Sequence, residues 1–214
     1  MHVAGNVVID NYIKKSEFHL SRLKAGALLM QFSVGRPDMI RAINQRWLLK
    51  FWKRSLGSRD LPPWQAVESE DLSRVSANLS FLDVVDDDGE ARFKISFHGA
   101  TIGQVYGSTD CRGKYLDELV TGGCTKAQIP YRQVVAEGCP VYTVFDLKDR
   151  AGRIVHFERL LLPFANNGDI VDHILASFEF VCVDGAFDSR DLMKMHPGPP
   201  TLRLSATIER HLPA

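Results

Sequence analysis

The side chains able to do chemistry are few in this chain, and their spacing limits what they could do. His156 and Glu158, and likewise His173 and Glu179, fall on a common face of an extended strand, so each pair could offer an acid and a base. Neither pair is accompanied by a G-x-S-x-G elbow, an H-E-x-x-H helix, a phosphate loop or a dinucleotide fingerprint. An enzyme using His156 or His173 is therefore a distant third reading, and no catalytic residue is assigned. Cys111, Cys124, Cys139 and Cys182 include no C-x-x-C pair and read as reduced thiols, so neither a metal site nor a disulfide framework is expected. The run Asp86–Asp87–Asp88–Gly89 lacks the remaining ligands of a calcium loop and reads as a solvated turn. Arg159 stands inside an apolar run. If buried it needs an anionic partner, whether Asp83, Asp146 or a ligand carboxylate. An arginine on the wet face of a sheet is the favoured expectation.

Composition narrows the class. The 214 residues carry 26 Lys+Arg against 26 Asp+Glu, so no net field favours nucleic acid or an anionic membrane. Hydrophobic residues make up 45%, which suits a folded globular chain. The apolar run at 25–30 is too short to span a bilayer, and Asp10 and Glu17 upstream of it do not suit a secretory signal. A cytoplasmic location is expected.

The elements that would position these groups can be read from periodicity. Residues 1–37 read as an extension, partly helical or disordered, ending at Gly35–Arg36–Pro37. Asp38 is the expected N-cap of an amphipathic helix over 39–56, in which Ile40, Ile43, Trp47 and Phe51 recur at helical spacing opposite Arg46, Lys50 and Lys53. That stripe either packs on the domain's own sheet or pairs with the same helix of a second copy. Ser69 is the expected cap of a short helix. A strand at 79–85 turns through the Asp run into a second strand, where Phe93, Ile95 and Phe97 alternate with Lys94, Ser96 and His98. A helical region follows between Gly99 and Gly138, its last helix spanning 124–137 and interrupted early by Pro130. Strands at 141–147, 154–164 and 171–183 are joined by turns at Asp149–Arg150–Ala151–Gly152 and Asn166–Asn167–Gly168–Asp169. Residues 186–214 read as a tail, broken at Pro197–Gly198–Pro199–Pro200 and mobile beyond it. The fold class is α+β, with helices on one face of a curved antiparallel sheet.

Between about Trp47 and Val183 the sequence resembles a PAS domain, more narrowly a PAS subfamily common in alphaproteobacteria. The likeness is carried by Trp52 with Leu61–Pro62, by Phe81–Leu82–Asp83–Val84–Val85, and by Arg92–Phe93–Lys94–Ile95 leading to Gly99. It continues through Gly107, Gly113–Lys114 and Leu116–Asp117–Glu118–Leu119 to Glu158–Arg159–Leu160–Leu161–Leu162–Pro163–Phe164 and Val171–Asp172–His173–Ile174–Leu175. Ala100 departs from the pattern, where a threonine hydroxyl would cap the next helix. The resemblance implies a PAS fold over 38–185: a five-stranded antiparallel sheet in the order 2-1-5-4-3, preceded by the flanking helix. It implies a non-catalytic sensory or signalling module that binds a small molecule or a protein partner and signals through that helix and through dimerisation. The alternative is a pure protein–protein interaction module with a filled core and no ligand. No attached effector is expected in the short stretch after Asp184.

Strand alternation then gives a candidate ligand pocket of Phe93, Ile95, Phe97, Phe145, Ala176 and Phe178, roofed by Tyr131, Val134 and Val135. Candidate dimerisation residues are Ile40, Ile43, Trp47 and Phe51. The cofactor is unknown. Haem would require Cys124 or Tyr131 as axial ligand, because 124–137 holds no histidine. Asp110–Cys111–Arg112 superficially resembles the asparagine–cysteine–arginine of light-sensing PAS domains, but lies out of frame with it. The expected partners are a second copy of the chain, a signalling protein and a small molecule, with no nucleic acid and no membrane span.

Overall fold

In the computed structural model, residues 30–107, 110–119, 125–167, 170–195 and 200–210 are described. The expectations for 1–29, for Cys124, for Gly168–Asp169 and for 197–199 lie outside them. The described residues from Phe32 onward fall in one compact unit. Its strands are β1 (Ser33–Gly35), β2 (Leu79–Asp87), β3 (Glu90–His98), β4 (Val141–Lys148), β5 (Ile154–Phe164), β6 (His173–Cys182) and β7 (Thr201–Ile208). Its α-helices are α1 (Ile43–Leu56), α2 (Gln65–Ser69), α3 (Ala100–Tyr106), α4 (Leu116–Leu119), α5 (Ile129–Glu137) and α6 (Leu192–Met195).

All seven strands form one sheet, in the order β1-β7-β4-β5-β6-β2-β3. The expected five-stranded order survives as the run β3-β2-β6-β5-β4, and the pairs within it are antiparallel. The correction is at the far edge. Residues 201–208, expected to be a mobile tail, form β7 antiparallel to β4, and Ser33–Gly35 of the supposed extension pairs parallel to β7. The sheet is therefore mixed. Ala206 and Ile208 of β7 are fully buried, so this strand belongs to the core.

Three further expectations change for local reasons. The helix expected from residue 39 begins at Ile43 after a short 3-10 turn at Pro37–Met39, and Asp38 makes no capping bond. Ser69 ends α2 rather than starting a helix. Its Oγ donates back to the Gln65 carbonyl at 2.8 Å, while Asp71 takes the Ser73 amide in a turn at 3.0 Å. Pro130 stands in the first turn of α5, where its missing N–H has no helical partner to lose, so it starts the helix instead of interrupting it.

The sheet is buried on both faces. On the inner face, α3 and α5 pack over Phe93, Ile95, Phe157, Leu161, Ile174, Ala176 and Phe178. On the outer face, α1 and α2 cover Leu79, Tyr142, Leu160, Leu162, Phe164 and Leu175. Helices thus occupy both faces, not one. α1 lies along β5 and β6. Gln45 Nε2 donates to the carbonyls of Glu158 and Ser177 at 3.2 and 3.1 Å, and the Trp52 indole donates to the Pro163 carbonyl at 2.6 Å.

A β-bulge decides which residues of β3 look inward. Phe81 pairs with Phe97 but Leu82 pairs with Ile95, leaving Ser96 as the extra residue. Beyond it the alternation inverts. Phe97, expected in the pocket, turns to the outer face against Phe81, ring centroids 4.8 Å apart. His98, expected on the wet side, turns inward.

Candidate functional site

Between the inner sheet face and the helices lies a cavity of about 40 Å³, bordered by residues from β2, β3, α3, α5, β5 and β6. That volume is on the order of one or two waters, so the inner core is mostly filled. Much of the filling is aromatic. Phe157 stacks between Phe180 and Phe178, at 5.0 and 5.8 Å, and Phe145 lies 6.2 Å away. Of the sequence-expected pocket residues, Ile95, Tyr131 and Phe178 line the cavity itself. Phe93, Val134 and Ala176 are buried in the surrounding core, and Val135 and Phe145 are half-buried at its border. Phe97 is on the other face.

The residues that sequence reasoning placed outside the cavity are its polar ones. Arg159 is 4% exposed and faces inward, not onto the wet surface. Its neighbours explain how it is tolerated. In register, Arg159 lies between Thr143 on β4 and Phe178 on β6. Nε donates to Thr143 Oγ1 at 3.3 Å, and the guanidinium carbon stands 4.9 Å from the Tyr131 ring centroid and 5.5 Å from that of Phe145. Nη2 is buried with no hydrogen-bond partner. Asp83 and Asp146, the carboxylates that could have paired with it, are held on the outer side by His173 at 3.2 Å and His156 at 2.8 Å. The carboxylates those histidines bond are not the ones their strand spacing suggested: His156 bonds Asp146 rather than Glu158, and His173 bonds Asp83 rather than Glu179.

His98 is the second polar wall. The Cys111 backbone N–H donates to its Nε2 at 2.8 Å, so Nε2 is the acceptor and the neutral ring carries its proton on Nδ1. Nδ1 is buried and has no partner. Asp110 Oδ1 also lies 3.5 Å from Nε2, but the shorter amide contact fixes the tautomer. Burial holds the phenols of Tyr106 and Tyr131 above their ordinary range, the Arg159 charge pulling the other way. Both remain neutral near pH 7. Cys111 is buried beside the cavity, and among the described residues no cluster of His, Cys, Asp or Glu could hold a metal.

The candidate dimerisation residues divide. Ile40 and Phe51 are buried within the chain, Trp47 is half-buried, and Ile43 is 73% exposed. No helix among the described residues is long and apolar enough to cross a membrane.

A mixed, mostly antiparallel sheet with helices on both faces and a small internal cavity is compatible with a PAS-type α+β fold. The sequence agrees: it matches the PAS domain family over residues 40–178, and the chain belongs to that family. No curated protein matches it. Among solved structures it is similar to a light-oxygen-voltage domain studied with a flavin analogue, at 16% identity over 53% of this chain and 83% of that one. The TM-score is 0.35.

Proposed function

We propose that this protein is a non-catalytic sensory module in which occupancy of the inner cavity is read out by α1 on the opposite face of the sheet. The observation that supports this is the construction of β5. Arg159 of β5 borders the cavity, while its neighbours Glu158 and Leu160 lie under α1, and the Glu158 carbonyl anchors Gln45. A shift of β5 that accommodates a ligand must therefore act on the seat of α1. The ligand's leverage is its difference in affinity between the two packings. Ile43, exposed on α1, and the half-buried Trp47 suit an outer surface shared with a second copy, so the homodimer is part of the reading. Free thiols at Cys111, Cys139 and Cys182 suit a reducing cytoplasm.

The coupling can be tested without knowing the ligand. Ala127 borders the cavity, and Ala127→Leu places extra methyl groups there as a surrogate occupant. Amide exchange in α1 should change about fivefold or more, with the dimer fraction in native mass spectrometry moving alongside. Unchanged α1 exchange in a folded variant would leave a filled-core interaction module as the better description.

A further inference from the structure

A guanidinium cannot relieve its burial by losing a proton, because its pKa exceeds about 12. Nearly every buried arginine is therefore matched by a carboxylate or phosphate, and a buried charge without one costs several kcal/mol. Arg159 is 4% exposed, and no acidic side chain among the described residues lies within 4.0 Å of it. Nε has the Thr143 hydroxyl, the guanidinium interacts with the Tyr131 hydroxyl and faces the rings of Tyr131 and Phe145, and Nη2 is buried without a hydrogen-bond partner. Arg159 borders the cavity.

A second donor borders the same space. The bulge at Ser96 turns His98 inward, the Cys111 amide fixes its proton on Nδ1, and Nδ1 lacks an acceptor. The phenols nearby are neutral, so among the described residues the cavity wall supplies cationic and neutral donors and no anion.

We propose that the cavity is a receptor site for a compact organic carboxylate, with Arg159 receiving the carboxylate head and the apolar wall taking a short aliphatic body. This rests on the sensory reading above and names its ligand class. One negative charge balances the one guanidinium, whereas a phosphate dianion would leave charge uncompensated in a largely apolar enclosure. The volume of about 40 Å³ favours the smallest members of the class unless the walls move.

The test uses the full chain with formate, acetate, propionate and butyrate, against propionamide, 1-propanol, chloride and inorganic phosphate. Thermal stability and 13C-carboxylate chemical shifts are the readouts. At least one carboxylate should stabilise the protein, with its neutral amide weaker by on the order of tenfold or more. Arg159→Met should abolish the carboxylate response, and Arg159→Lys, which keeps charge without the planar fork, should retain part of it. If amide and acid act equally, if only chloride or phosphate acts, or if no carboxylate acts on the wild-type chain, the ligand assignment is wrong. The two readings separate cleanly. Carboxylate binding that leaves α1 exchange unchanged removes the sensory coupling and keeps the ligand class, while a response to neutral ligands alone does the reverse.

Discussion

Glu158 and Arg159 are neighbours on β5, carry opposite charges, and are 3% and 4% exposed. They face opposite sides of the sheet and meet opposite circumstances. On the outer side the Tyr142 hydroxyl donates to Glu158 Oε2 at 2.7 Å, beneath a helix that is itself tied to the strand. On the inner side Arg159 has the Thr143 and Tyr131 hydroxyls, flanking rings and an unpaired Nη2. Buried charge is costly enough that a finished face satisfies it and an unfinished face leaves a vacancy for something else. The outer face closes over its carboxylate, and the ligand proposed above would complete the inner one.

Three experiments would break or sharpen that contrast. Trp52→Ala removes the largest fully buried side chain of the outer core together with its bond to Pro163, and should cost about 3–5 kcal/mol in denaturant unfolding. A loss below about 1 kcal/mol would mean α1 is loosely seated and the outer face is not closed. Tyr142→Phe keeps the shape but strips Glu158 of its donor, and should cost about 1–3 kcal/mol by the same measurement. No loss would show that water or another donor already serves that carboxylate.

The smallest effect concerns Glu179, opposite Glu158 across the ladder. Burial holds its carboxyl above the ordinary range and the Glu158 charge adds to this, while the amides of Asn44 and Asn78 pull it down. A raised folded-state value means the folded chain takes up this proton before the unfolded chain does. Its ionised form therefore subtracts stability above the raised value, and the loss is relieved as pH falls towards the ordinary carboxylate range. Glu179→Gln should accordingly melt higher than wild type near pH 7, with the gap closing in acid. A gap that widened as pH fell would reverse the sign of this assignment.

Much of the architecture was legible in the chain, and the misses have specific physical causes. Alternation located β2 to β6 because each carries polar and apolar residues in step or is bounded by clear turn residues. Phe97 and His98 were assigned to the wrong faces because one extra residue at Ser96 inverts the period, and a bulge leaves no mark in a hydrophobicity pattern. Arg159 could not be faced from sequence because Leu160, Leu161 and Leu162 follow it and both sides of β5 are apolar. The polar half of the cavity was hidden for those two reasons. β7 was there to be found: Leu202, Leu204, Ala206 and Ile208 alternate with Arg203, Ser205 and Thr207, but the proline-rich stretch before them suggested loose chain. The burial of α1 on its own sheet was an open alternative that no periodicity could decide.

Finally, the margins of the sheet restrict how this molecule can meet another. One margin ends on β1, three residues long, and the other, β3, is partly shielded where Ile95 exchanges backbone bonds with Gly113 and Lys114. Where Ile95 is engaged, a foreign strand could not extend the β3 ladder without displacing Gly113 and Lys114. Association over those covered positions would rest on side-chain complementarity, which a point substitution can tune.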